Sequence, residues 1–155
     1  MSYRILGLDP QPFLPLYGLP EAELQARGAR RLRVTEPHAA PDRIELRDAE
    51  PGETVLLLNH CYLDADSPYR GMHAIFVREG ATQRFEAMGA LPDAIRRRLI
   101  SLRAFDADGM MVDAEVAEGT ALEPLITRFL ADPQVAFLHA HHARRGCYAA
   151  RIERA

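Results

Sequence analysis

The last third of the chain carries the pattern that most restricts its fold. Short segments in which apolar and polar residues alternate are separated by turn residues, and one segment has apolar residues at helical spacing. In chain order these are strands at 99–105 and 110–116, a helix at 120–131, and strands at 134–142 and 147–153. The order strand, strand, helix, strand, strand predicts two hairpins in an antiparallel sheet, with the helix across one face.

Local signals set the boundaries of these segments. The sequence Asp106-Ala107-Asp108-Gly109 predicts the turn of the first hairpin, because aspartate and glycine favour tight turns. Thr120 and Glu123 form a T-x-x-E capping box that predicts the start of the helix, and Asp132-Pro133 predicts its end. One face of the returning strand is expected to consist of Met110, Val112, Ala114 and Val116.

The remainder of the chain predicts the same class of fold. Further strands are expected at 31–35, 43–46, 54–59, 73–79 and 83–88, and short helices at 21–27 and 93–98. Residues 1–29 contain four prolines and are predicted to form a peripheral cap. A length of 155 residues suits one domain. We therefore predict a single α+β domain over residues 1–155, with a largely antiparallel sheet and two or three short helices.

Charge and residue usage exclude several classes of function. The net charge is −3, whereas nucleic-acid-binding domains are usually basic, so no nucleic-acid partner is expected. All 19 basic residues are arginine, which excludes a Schiff-base lysine, a pyridoxal-binding lysine and the lysine of a P-loop. No G-x-S-x-G motif surrounds any serine, so a serine hydrolase does not fit. We expect no cofactor.

The sequence also predicts a location. The longest apolar run, at 55–58, is far too short to cross a bilayer, so no membrane partner is expected. No basic start precedes a long apolar stretch, which predicts a cytoplasmic protein. In that compartment Cys61 and Cys147 are expected to be free thiols.

The final hairpin holds the densest cluster of reactive side chains. A three-residue loop that ends at Gly146 would pair Ala143 with Cys147, and we prefer this register because its third position requires glycine. One face would then hold His139, His141, Cys147 and Arg151. In this arrangement Cys147 would be the nucleophile and His141 its base. A four-residue loop would instead pair His142 with Cys147.

Arginines near the same sheet edge point to a ligand. Arg70 follows a predicted central strand and Arg144 lies in the hairpin turn, and guanidinium groups bind carboxylates and phosphates. The leading hypothesis is a pocket for a small anionic molecule, built from segments 59–70 and 139–147. Its ligand-binding residues would be Asn59, Arg70, Arg144 and His139.

Three questions stay open from the residues alone. Whether the pocket catalyses a reaction, with His141 and Cys147 as the catalytic pair, is undecided. A protein-interaction or structural module, in which the histidine strand is part of the core, is the first alternative. The second is a metal site, because H-x-H on a strand presents two imidazoles that Cys147, or His60 with Cys61, could complete.

Several longer motifs carry a resemblance to a known family. They are GETVLLLN, SPYR, IFVREGA, RRRLISLRAFDADGMMVDAEV and HAHHARRGCYAARIERA. Together they resemble a bacterial family catalogued as a domain of unknown function, family 1203. The resemblance implies a free-standing domain and no particular activity.

The chain departs from the family pattern at two places. Near its end, that family tends to read H-x-H-N-A-R-x-G-C, a pattern that maps onto His139 to Cys147 of this chain. This chain has His142 at the position where the family pattern has asparagine. His73-Ala74 also stands where the family often has Gly-Pro. The first departure argues against His142 as an essential metal ligand, since asparagine replaces imidazole poorly on zinc.

Overall fold

The computed structural model describes residues 2–155, and its α+β architecture confirms the predicted fold class. The strands are β1 (Tyr3–Leu6), β2 (Arg30–Arg33), β3 (Thr54–Leu63), β4 (Gly71–Arg78), β5 (Glu86–Met88), β6 (Leu99–Phe105), β7 (Met111–Glu118), β8 (Phe137–His142) and β9 (Tyr148–Arg154). The helices are α1 (Glu21–Ala26), α2 (Asp93–Arg96) and α3 (Leu122–Ala131), with 3-10 turns at Leu14–Leu16 and Gly119–Ala121.

Six strands form the larger sheet, in the order β5-β1-β9-β8-β6-β7, and every neighbouring pair is antiparallel. The helix α3 packs its apolar side chains, including Ile126 and Phe129, into one core cluster with Leu102, Ala140 and Ile152 of the sheet. The structure therefore confirms the strand, strand, helix, strand, strand unit that was predicted for the last third. The prediction succeeds because residues that are close together in the chain determine these hairpins and this helix.

The other three strands form a smaller antiparallel sheet in the order β2-β3-β4. The end of β3 reaches the larger sheet, where Leu63 packs with Phe105 and Phe137. Phe137 and Leu138 are adjacent in β8 and point to opposite faces, and Leu138 lies in the cluster with α3. The smaller sheet thus covers the face of the larger sheet that α3 leaves free.

The N-terminal segment is more than a cap. Tyr3–Leu6 forms β1, which lies between β5 and β9 inside the larger sheet. Only the part that follows packs against the smaller sheet, where Phe13 and Leu24 join the cluster around Ile75. Met1 lies outside the described residues, and a single domain over 1–155 stays a prediction.

The strand predicted at 43–46 is wrong. This segment is a turn: the Asp42 carboxylate accepts a hydrogen bond from the Glu45 backbone N–H at 2.6 Å, and Leu46 has a φ of 51°. Ile44 and Leu46 are buried as the alternation implies, but Arg43, which precedes them, is buried as well. A local alternation of apolar residues cannot distinguish this turn from a strand.

Two details of the last third differ from expectation. The N-cap residue of α3 is Ala121, and no side chain of residues 2–155 caps this end of the helix. The Glu123 carboxylate instead accepts a hydrogen bond from the Tyr3 hydroxyl at 3.2 Å, so the predicted capping box is wrong. The apolar face of β7 is exposed at Val112 and Val116, because neither residue joins the core clusters on the two faces of the larger sheet.

Candidate functional site

The register of the final hairpin decides which side chains meet. The His142 N–H donates to the Cys147 carbonyl at 2.9 Å, and the Gly146 N–H donates to the His142 carbonyl at 2.7 Å. The loop therefore has four residues, 143–146, so the preferred three-residue register is wrong and the alternative is observed. Gly146 has a φ of 77°, but a left-handed glycine closes this loop too, so the glycine does not discriminate between the two registers.

This register separates the two predicted catalytic residues. Cys147 lies opposite His142 and shares its face, whereas His141 pairs with Tyr148 beyond a β-bulge and points the other way. His139 shares the face of His141. The predicted grouping of His139 and His141 with Cys147 is consequently not formed, and the hairpin has two faces with different surroundings.

The face of the hairpin that carries His139 and His141 is named here the aromatic face. It consists of His139, His141, Tyr62 and Tyr148. The Tyr62 ring meets His141 edge-on with centroids 4.9 Å apart, and Tyr148 meets His139 edge-on at 5.0 Å. Edge-to-face packing of this kind is favourable between aromatic rings. Tyr62 comes from the bulge at the end of β3, so the smaller sheet closes this face.

The two histidines on this face are neutral at pH 7. Burial lowers the pKa of His139 to about 3 and that of His141 to about 4. His141 Nδ1 lies 2.9 Å from the Gly146 carbonyl, which only accepts, so Nδ1 carries the proton. His141 Nε2 and His139 Nδ1 have no hydrogen-bond partner within residues 2–155.

The opposite face opens into a cavity of about 640 Å³, which we name the arginine cavity. Its arginines are Arg43, Arg97, Arg98, Arg144 and Arg145. His142 and Cys147 also line it, and Glu118 is the one carboxylate among its lining residues. This composition gives the cavity a strong positive charge, which attracts anions.

Arg43 lies at the buried end of this cavity and is only 2% exposed. Its Nε donates to the Tyr148 carbonyl at 2.7 Å, its Nη1 donates to the Pro41 carbonyl, and its Nη2 lies 3.0 Å from Cys147 Sγ. A guanidinium has five N–H groups, so two of them have no partner within residues 2–155. These three contacts hold the side chain in place and leave two of its N–H groups free to donate further hydrogen bonds.

No carboxylate forms an ion pair with Arg43 in the described part of the chain. The neighbouring Asp42 carboxylate accepts hydrogen bonds from the backbone N–H groups of Glu45 and Arg78 instead. Burial lowers the pKa of Arg43, and negative charge at Cys147 and at Asp42 acts in the opposite direction. The cavity therefore contains a buried cation whose hydrogen bonds are to carbonyls and one sulfur.

The backbone around Arg43 explains its fixed position. The Arg43 carbonyl accepts a hydrogen bond from the Leu8 N–H at 2.7 Å, and its N–H donates to the Phe76 carbonyl at 3.2 Å. Gly7 approaches so closely that a Cβ there would lie 2.0 Å from the Ile44 carbonyl oxygen. The turn is thus held by the segments that contain Leu8 and Phe76, which are distant from it in the chain.

The other arginines of the cavity differ in their pairing. Arg98 Nη2 lies 2.7 Å from the Asp48 carboxylate, and Arg97 Nε lies 3.6 Å from it. Arg144 and Arg145 are exposed at the rim and form no ion pair within residues 2–155. The rim therefore holds two guanidinium groups that no carboxylate of the described chain neutralises.

The structure divides the residues predicted for the site. Arg144 and Cys147 line the arginine cavity, whereas His139 and His141 lie on the aromatic face. Asn59 is exposed on β3.

Arg70 is also exposed and is outside the cavity, where it pairs with Asp64 at 2.8 Å. The 59–70 segment contributes Tyr62 to the aromatic face and nothing to the cavity lining. The sequence reasoning missed Arg43, because nothing near it in the chain distinguishes it from the other arginines. It also missed Arg97 and Arg98, which belong to the short helix predicted at 93–98.

Two further observations bear on the other hypotheses. Within residues 2–155, no group of three or more histidine, cysteine, aspartate or glutamate side chains is arranged to hold a metal ion. Among the helices of the same residues, none is long and apolar enough to cross a membrane.

Comparison with protein-family models gives a match. A family model described as "Protein of unknown function (DUF1203)" matches residues 39–154, which include the five arginines of the cavity and the aromatic face. No curated protein and no solved structure matches the chain.

Proposed function

The chain belongs to the DUF1203 family, and we propose that it binds a small anionic molecule in the arginine cavity. The observation that carries the proposal is Arg43, a fully buried guanidinium that lines the cavity and forms no ion pair with a carboxylate of residues 2–155. Burying a charge that has no partner of opposite charge costs on the order of several kcal/mol. An anion in the cavity would remove that penalty by accepting the two remaining N–H groups of Arg43.

The rim supports the same proposal. Arg144 and Arg145 stand on the hairpin loop without an acidic partner in the described chain, so they are available to a ligand. Guanidinium groups present paired donors that match the oxygens of carboxylates and phosphates. Arg43 would bind the buried end of the ligand, and the two rim arginines would bind its outer charge.

This proposal revises the membership of the predicted pocket. Arg144 remains a proposed ligand-binding residue. Arg43 and Arg145 join it, whereas the other residues predicted from the sequence, Arg70, Asn59 and His139, are no longer included. A cytoplasmic location belongs to the proposal as well, because a reducing compartment keeps Cys61 and Cys147 as the free thiols observed.

The test is calorimetric titration of the protein with inorganic phosphate and with citrate at pH 7.5. We expect the double variant Arg144→Gln/Arg145→Gln to bind both probes at least about tenfold more weakly, a loss of about 1.4 kcal/mol. Arg70→Gln is the matched control, since Arg70 is an exposed arginine outside the cavity. It should bind within about twofold of the unmodified protein.

Two results would overturn the proposal. One is the absence of binding by either probe up to millimolar concentration. The other is an equal loss of affinity in the Arg70→Gln control, which would place the anion site at the 59–70 segment and away from the cavity.

A further inference from the structure

We propose that Cys147 is a nucleophile for carbon electrophiles that carry a negative charge. The inference rests on the proposed anion site and adds a reaction to it. Three features carry it: the contact between Cys147 and Arg43, the place of the buried Cys147 in the lining of the cavity, and the charge that the rim presents to an incoming molecule.

The contact with Arg43 determines the chemical character of the sulfur. Nη2 of Arg43 lies 3.0 Å from Cys147 Sγ, and a guanidinium has only donors, so the sulfur must be the acceptor. An adjacent arginine is one of the surroundings in which proteins hold a thiolate, which is the reactive form of cysteine. Arg43 forms no ion pair with a carboxylate within residues 2–155, and apart from the sulfur its side-chain hydrogen bonds are to two backbone carbonyls.

A second observation points to the same place. His142 lines the cavity beside Cys147, is 7% exposed, and has no hydrogen-bond partner for its Nδ1 within the described chain. Burial and the charge of Arg43 lower the pKa of His142 to about 3, so it is neutral at pH 7. It therefore cannot supply a positive charge to Cys147, and that role belongs to Arg43.

The reaction needs no co-reactant. The thiolate attacks a carbon that bears a leaving group, a bond forms between Sγ and that carbon, and the bond to the leaving group breaks. The leaving group departs with its electron pair, and no oxidant or reductant takes part. The carboxylate or phosphate of the electrophile remains on the transferred group, where Arg144 and Arg145 would bind it.

The chain contains its own control for this chemistry. Cys61 lies on β3, is partly exposed, and its Sγ lies 3.6 Å from the Leu63 carbonyl. Its contact is thus with a carbonyl, whereas that of Cys147 is with a guanidinium. A comparison of the two cysteines in one molecule removes differences in protein concentration and reagent quality.

The experiment compares two alkylating reagents that differ in charge, iodoacetate and iodoacetamide. The full-length protein is treated with each at pH 7.5, and mass spectrometry of peptides follows the labelling rate at each cysteine. We expect the ratio of the iodoacetate rate to the iodoacetamide rate to be at least about tenfold higher at Cys147 than at Cys61, because a positive cavity concentrates the anion.

Variants at the rim show whether the cavity causes the preference. In Arg144→Gln/Arg145→Gln, the rate ratio at Cys147 should fall toward that of Cys61, while its iodoacetamide rate stays within about twofold. Arg70→Gln should leave the ratio unchanged. Phosphate should slow the reaction of Cys147 with iodoacetate and leave Cys61 unaffected.

The outcomes separate this inference from the proposed function. Equal rate ratios at the two cysteines, or a Cys147 that is labelled only in urea, would overturn the inference, and phosphate binding in the calorimeter would then still support the anion site. A Cys147 that prefers iodoacetate without measurable phosphate or citrate binding would support the nucleophile and overturn the simpler binding function.

Discussion

His141 and His142 are neighbours in β8, and they lie in opposite surroundings. His141 packs under the Tyr62 ring on the aromatic face, with centroids 4.9 Å apart, and hydrogen-bonds the Gly146 carbonyl. His142 lines the arginine cavity. Burial lowers the pKa of both, so both are neutral at pH 7. The difference between the two sites therefore lies in what surrounds the imidazole.

The two faces balance their polar groups in different ways. On the aromatic face, edge-to-face contacts are each worth about 0.5–1.5 kcal/mol and offset part of the cost of burying imidazole nitrogens. In the cavity, two N–H groups of Arg43 donate no hydrogen bond, and its guanidinium has no carboxylate partner in the described chain. A face whose rings pack against each other contributes stability, whereas a face with uncompensated charge favours a ligand.

The largest expected effect is on the aromatic face. Tyr62→Ala should lower the free energy of unfolding by about 3 kcal/mol, because it removes a ring that packs on His141 and stacks on Tyr148. Chemical denaturation would measure this loss. The folded variant should still bind phosphate within about twofold, since Tyr62 does not line the cavity. A loss of affinity as large as that of Arg144→Gln/Arg145→Gln would remove the distinction between the faces.

A smaller effect is expected from the protonation of His139 alone. The pKa of His139 falls from 6.5 to about 3 on folding, so the unfolded chain binds more protons between these values. Its contribution to stability is therefore fully present above pH 6.5 and is lost as the pH falls, with about 2 kcal/mol lost by pH 5. Nearby Arg103 and Arg151 act in the same direction.

The variant His139→Leu sharpens this prediction. It should lose about 2 kcal/mol less than the unmodified protein between pH 7.5 and pH 5, because leucine has no proton to gain. Urea unfolding at the two pH values gives the difference. An unchanged pH dependence would mean that His139 is accessible to protons in the folded state.

The smallest expected effect concerns the cavity. Asp48 holds Arg98 at 2.7 Å and competes with any anion for it, so Asp48→Asn should raise the affinity for phosphate by about threefold. The direction is opposite to that of the rim variants, and calorimetry measures both. A weaker affinity in Asp48→Asn would show that the carboxylate positions Arg97 and Arg98 for the ligand rather than competing with it.

Much of the fold could be predicted from the chain, and the reason is local. The bounds of β6 agree with the predicted strand at 99–105, and the turn at 106–109 follows from its aspartates and glycine. The pattern at 43–46 predicted a strand for the same kind of reason and was wrong. There, hydrogen bonds from Leu8 and to Phe76 replace a strand partner, and no local pattern records them.

The candidate site was predicted in part. The sequence located the hairpin loop that carries Arg144 and Cys147, because turn residues and the cluster of histidines mark it. It placed Cys147 with His141, since a glycine at position 146 suits both loop lengths. One residue of difference in the loop moved Cys147 to the other face of the hairpin, because side chains alternate along a strand.

The sequence by itself determined the α+β class, the helix α3, the two hairpins of the last third and the cluster of reactive side chains at the chain's end. Each of these depends on residues a few positions apart, through helical spacing, alternation and turn preference. Only the tertiary structure decided that Arg43 meets Cys147, since the two are 104 residues apart in the chain. It also decided that Tyr62 covers His141. Such contacts arise when distant segments pack, and burial then fixes which charges remain without partners.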